Sequence, residues 1–171
     1  GLADLGNVYS DGALSNRNLI INGAMQVAQR GTSVSGPTSG VFLLDRLNVF
    51  RNGTGVVDMA QSGVAPEGFK NSLLLTVATA DTSLDSTDFG GLRYVVEGYD
   101  AAQLDFGKSS AKQITLSFYV RSNITGTYSV AFRNSAASRS YAADYTIDSV
   151  DTWERKTITI AADTSGTWLT D

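Results

Sequence analysis

The chain contains no cysteine and no histidine, and these two gaps remove much of the chemistry open to a protein domain. Without cysteine there is no thiolate nucleophile, no thiolate zinc ligand and no disulfide. Without histidine, Ser-His and Cys-His relays and imidazole-ligated metal sites are excluded. A compartment is not legible from this, because a cysteine-free chain folds alike in oxidising and reducing surroundings. Charge is also thin, at 18% of residues. Thirteen Lys and Arg stand against 17 Asp and Glu, for a net charge of −4. The basic residues are scattered and form no stripe, so no nucleic-acid partner is expected, since phosphate neutralisation supplies most of that affinity. No apolar run approaches the ~20 residues needed to cross a bilayer, and no basic-then-apolar leader opens the sequence. Membrane insertion is not expected.

What is present reads as strands and turns. The 171 residues include 42% hydrophobic residues, 17 Gly and only 2 Pro, with abundant Ser and Thr, a mixture suited to short strands joined by tight turns. The length fits one domain and an appendage, and a domain of about 150 residues buries roughly 68–70% of its unfolded surface. In "GLADLGNVYSDGALSNR" (residues 1–17) the apolar residues Leu2, Leu5, Val8 and Leu14 are too widely spaced for a coiled coil. This segment reads as an extended arm or connector, and residues 18–171 read as the domain.

Within the domain, "NLIINGAM" (18–25) reads as the first strand. "FLLDRLNVFRNGTG" (42–55) offers two apolar faces, Leu43, Leu47 and Val49 against Phe42, Leu44 and Phe50, closed by a hairpin turn at "NGTG". "NSLLLTVATAD" (71–81) is a nearly continuous apolar run, suited to a strand buried on both sides. In "LRYVVEGY" (92–99), Leu92, Tyr94 and Val96 alternate with Arg93, Val95 and Glu97, and "DAAQLDFG" (100–107) suits one helical turn. The clearest period lies in "QITLSFYVRSNITGTYSVAFRNS" (113–135). There Ile114, Leu116, Phe118 and Val120, then Tyr128, Val130 and Phe132, alternate with polar or small residues. Two adjacent period-two runs around a Gly-containing turn predict an antiparallel hairpin. "RSYAADYTID" and "WERKTITIAA" continue the pattern, burying Ile158 and Ile160. The fold class that follows is all-β, an antiparallel β-sandwich of jelly-roll type preceded by the arm. The sequence stops at "TSGTWLTD", where such a sandwich starts another strand, so C-terminal strands are expected beyond residue 171.

From "NLIINGAMQVAQRGTS" through "FLLDRLNVF", and more closely from "RYVVEGYDAAQLDFG" to "TSGTW", the chain resembles jelly-roll domains of bacteriophage tail and fibre proteins. "ITLSFYVRSNITGTY", the polar "RSY" hairpin, Trp153-Glu154 and "TSGTW" carry the resemblance, which is looser but visible for jelly-roll carbohydrate-binding modules. It implies a structural virion protein, a tail fibre or receptor-binding appendage. Such a protein would form homotrimers, meet other tail proteins through its arm, and attach to host surface polysaccharide.

Candidate chemistry is weighed against plainer readings. Tyr119, Arg121, Arg133, Arg139, Tyr141 and Asp144 fall on or just beyond outward positions of what read as neighbouring strands, and form a candidate carbohydrate site. Aromatic rings pack on the C–H patches of sugars while Arg and Asp bond their hydroxyls. The plainer reading is that Tyr and Arg decorate an exposed face or a subunit interface. Asp81, Asp85 and Asp88 lie in "DTSLDSTDFGG", a loop able to offer oxygens to calcium but without EF-hand spacing; it reads as solvated, and no metal or other cofactor is expected. Asp144, Asp148 and Glu154 are close in sequence, yet nothing marks one as the raised carboxyl that glycoside hydrolysis needs. "RNGTGVV" lacks the Lys-Ser/Thr ending of a phosphate loop. Trp153 reads as sealing a core edge, and Trp168 is assigned no role. No catalytic residue is assigned. The alternatives to an attachment protein are a polysaccharide-degrading enzyme or its accessory binding module, and a purely architectural capsid decoration or tail adaptor.

Overall fold

The computed structural model describes residues 18–168, and the arm expected over 1–17 lies outside the described residues. The protein is all-β with antiparallel pairing. It forms two compact units that divide between Val96 and Glu97, so the domain expected over 18–171 spans both.

The first unit carries β1 (Ser33–Val34), β2 (Leu47–Asn52), β3 (Val56–Ser62), β4 (Ser72–Thr79) and β5 (Phe89–Tyr94). One sheet has the order β1-β3-β4, and the other pairs β2 with β5. Strands β2 and β3 do not pair, so "NGTG" passes the chain from one sheet to the other and is not a hairpin turn. Successive side chains along a strand point to opposite faces. Val49 of β2 meets Met59 of β3 and Leu43 in the core, with Val34, Val57, Leu73 and Leu75 packed around them.

Three local readings need correction here. "NLIINGAM" is not a strand. Asn22 and Met25 take positive φ of 61° and 55°, and Met25 N–H closes a turn onto the Asn22 carbonyl. The Asn22 side chain then fixes the turn, its Oδ1 accepting from Gln26 and Val27 N–H and its Nδ2 donating to the Val27 and Asp45 carbonyls. Second, alternation does not run through "FLLDRLNVF". Arg46 has φ of 76°, so Leu43 and Leu44 are both buried from a turn and the strand begins only at Leu47. Third, β4 is not buried on both sides: Leu73 and Leu75 reach the core, while Leu74 remains 47% and Val77 67% exposed. Leu74 sits opposite Ala60 on the far face, and Val77 lies where β3 bulges between Val56 and Val57.

The second unit opens with the expected helical turn, α1 (Gly98–Ala101), continued by a 3-10 turn over Ala102–Leu104. Its strands are β6 (Ile114–Val120), β7 (Gly126–Arg133), β8 (Ser140–Ile147) and β9 (Glu154–Ile160). The expected β6–β7 hairpin does not form. β6 pairs with β9, and β7 pairs with β8. The two sheets face one another through aromatic contacts. Between the sheets the Phe118 and Tyr145 rings meet edge to face at 5.1 Å, and within β7–β8 Tyr145 stacks at 5.8 Å on Tyr128, its cross-strand partner. Ile147, Ile158 and Ile160 are buried, the last two as expected. Both runs of 113–135 do alternate, but each turns its apolar side toward the opposite sheet.

Candidate functional site

The six residues of the candidate carbohydrate site are dispersed. Tyr119 pairs with Arg155 on the outward face of β6–β9. Arg133 and Asp144 lie on the outward face of β7–β8, opposite Ser140 and Ser129. Because Phe118 on β6 faces Tyr145 on β8, Tyr119 and Asp144 look away from each other. Tyr141 pairs with Phe132 and so shares the face of Tyr145 and Ile147, at its open end with 42% exposure. The premise that β6 and β7 are neighbours, which joined these residues into one surface, does not hold.

The two remaining arginines act as braces. Arg121 donates from Nε to the Asp151 carbonyl at 2.7 Å and pairs with its carboxylate at 3.1 Å. Arg139 engages Asp163 through Nε at 2.5 Å and Nη2 at 2.7 Å. Asp163 Oδ2 also accepts from the Trp168 indole at 2.9 Å, and Phe106 packs edge to face on that indole at 5.0 Å. The Arg139 guanidinium holds the Asp163 carboxyl well below the usual carboxylate range, and the Trp168 and Ser165 hydrogen bonds add to this. Trp168 therefore acquires a structural role. Asn134, 6% exposed, ties the same region together, accepting at Oδ1 from Ser138 and Arg139 N–H and donating from Nδ2 to the Thr167 carbonyl.

Of the three carboxylates considered together, Glu154 is also a brace. Its Oε1 accepts from Asp148 and Ser149 N–H, and its Oε2 lies 2.6 Å from Lys156 Nζ. Lys156 lowers the Glu154 carboxyl and is itself raised by it. In the first unit, Asp81 accepts from Thr54 and Ser83 N–H, and Asp88 from Asp85 N–H. These bonds hold Asp81 below its ordinary value, the Ser83 N–H contributing most. Gly53, at φ of 109°, lets the turn pass beneath both carboxylates, since a Cβ there would lie 3.0 Å from Asp88 Cγ and 3.1 Å from Asp81 Oδ2. Among the described residues no group of three or more acidic side chains has metal-binding geometry.

A different constellation assembles on β2–β5. Register places Asn48, Phe50 and Asn52 on one face, opposite Arg93, Gly91 and Phe89. The Phe50 and Phe89 rings lie 4.6 Å apart, tilted by 31°, and the Arg93 guanidinium sits 4.7 Å above the Phe50 ring, within cation–π range. Phe89 is 45% exposed. At Gly91 a Cβ would meet no atom within 4 Å, so the ladder is open between the aromatic and cationic ends. Asn48, paired with Arg93, is fully buried with both amide atoms unpartnered, and Arg93 Nε is likewise without a hydrogen-bond partner. Buried polar groups are hydrogen-bonded in the great majority of cases, so this cluster stands out. Sequence reading missed it because its members come from strands about forty residues apart, and only their register brings them together.

No family model matches the chain, and no curated protein or solved structure matches it either.

Proposed function

We propose that the chain is a non-catalytic attachment component of a bacteriophage tail appendage, built on a jelly-roll sandwich. In this reading it assembles as a homotrimer, meets other tail proteins through residues 1–17, and contacts host surface polysaccharide. The virion setting rests on the resemblance carried by "ITLSFYVRSNITGTY", "RSY" and Trp153-Glu154.

The non-catalytic part of this reading draws on the use made of four carboxylates. Asp81, Asp105, Glu154 and Asp163 are all held below their ordinary values by hydrogen bonds, from Ser83 N–H, Lys108, Lys156 and Arg139 respectively. Hydrolysis of a glycosidic bond asks for the opposite, a carboxyl raised enough to donate a proton near neutrality. Repetition of a shallow site over several copies strengthens attachment through effective concentration. Immunogold electron microscopy of particles, with antibody to this chain, tests the setting: label on an appendage supports it, and unlabelled particles overturn it. Release of new reducing ends from host polysaccharide by the purified chain would overturn the non-catalytic part.

A further inference from the structure

We infer that the β2–β5 face carrying Phe50, Phe89, Gly91 and Arg93 binds a carboxylated glycan, one sugar ring lying over the exposed Phe89 edge of the aromatic pair and its carboxylate reaching the Arg93 guanidinium. This deepens the attachment reading and rests on it. Four observations converge. The rings are paired at 4.6 Å with Phe89 45% exposed, giving an apolar ledge for sugar C–H groups. Arg93 is held over Phe50 at 4.7 Å, its Nε buried and the residue as a whole half-buried, which fixes the guanidinium in place as a planar cation suited to a carboxylate. Asn48, its cross-strand neighbour, is fully buried with its amide unpartnered, which makes the end of the face beside Arg93 polar. Gly91 leaves the space between the two ends open. The exposed Asn52 lies opposite Phe89 on the same face, its Nδ2 donating to the Thr87 carbonyl. A protein partner would bury a broad apolar area, whereas this ledge is one ring pair wide and polar at both ends.

The test uses the full chain and three polymers: polygalacturonate, its methyl-esterified form, and neutral dextran. The expected result is retention of polygalacturonate over the other two, with at least a tenfold loss of affinity in Phe89→Ala and Arg93→Gln. Gly91→Val guards against loss of fold. Its Cβ enters open space and valine favours a strand, so it should fold by circular dichroism yet lose binding to a similar degree. Wild-type retention of polygalacturonate that all three variants keep would place the site elsewhere and leave attachment standing. A preference for dextran would overturn the acidic ligand alone. Retention of no polymer would overturn this inference alone, since attachment is decided by binding to the host's own polysaccharide.

Discussion

Arg139 and Asp163, 24 residues apart, are joined by two parallel hydrogen bonds, Nε to Oδ2 and Nη2 to Oδ1. A paired fork of this kind fixes orientation as well as charge. It anchors the loop after β9 to the end of the β7–β8 hairpin, and Trp168 is drawn in by the same carboxylate.

The pH dependence follows from that carboxylate. Its folded pKa is depressed chiefly by Arg139, so its contribution to stability is fully present above the unfolded Asp value of about 3.9 and is lost as pH falls toward the folded value. The wild type should lose stability progressively below about pH 4. Asp163→Asn should be less stable at pH 7 and show a shallower acid limb. Urea titrations from pH 7 to 2 measure both, and parallel limbs would show that Asp163 is not a principal source.

Gly166 lies against the same fork. It holds φ of 78°, and a Cβ there would lie 2.6 Å from Arg139 Cδ. Gly166→Ala should cost about 1–2 kcal/mol from the left-handed backbone alone, and more as Arg139 is displaced. Equilibrium unfolding gives the cost, and quenching of Trp168 fluorescence reports whether the indole has left Asp163.

Met59 is 1% exposed at the centre of the first unit's core. Met59→Ala should destabilise by about 2–5 kcal/mol, the usual cost of removing a large buried side chain. A loss below about 1 kcal/mol in denaturant titration would mean that the core collapses around the gap or is not packed as described.

Pairing in the second unit is testable with engineered cysteines, because the chain has none of its own. Ser117 faces Thr157 across β6–β9, and directly opposed strand residues have Cβ atoms about 4.5–5.5 Å apart, close to disulfide reach. Ser117→Cys with Thr157→Cys should oxidise readily, whereas Ser117→Cys with Ser129→Cys should not. The reverse outcome would restore the β6–β7 hairpin.

Period-two alternation revealed which residues of β6, β7, β8 and β9 turn inward, because burial of one face imposes that period wherever a strand pairs. It could not reveal which strand lies beside which. Ile114 and Tyr128 look like members of one hairpin although they belong to facing sheets, since both kinds of neighbour bury the same side chains. Tyr141 was misplaced for a related reason: its face depends on the register set by the turn at Asn134–Arg139, which leaves no periodic mark. Asn22 displays a turn signal in "NG", but the apolar "NLII" before it imitates a strand. The Arg139–Asp163 fork and the Phe50–Phe89–Arg93 ladder were illegible because their partners are distant in sequence, and charge or aromaticity at a position does not specify its contact.

The pairing of β6 with β9 also dictates an order of events. As the chain emerges during synthesis, β7 and β8 are joined by a short turn and can zip together at once, whereas β6 waits for a mate not yet made. Closing that longer span costs more entropy and is slower than closing the hairpin. On entropic grounds the hairpin is expected to close before the β6–β9 pair.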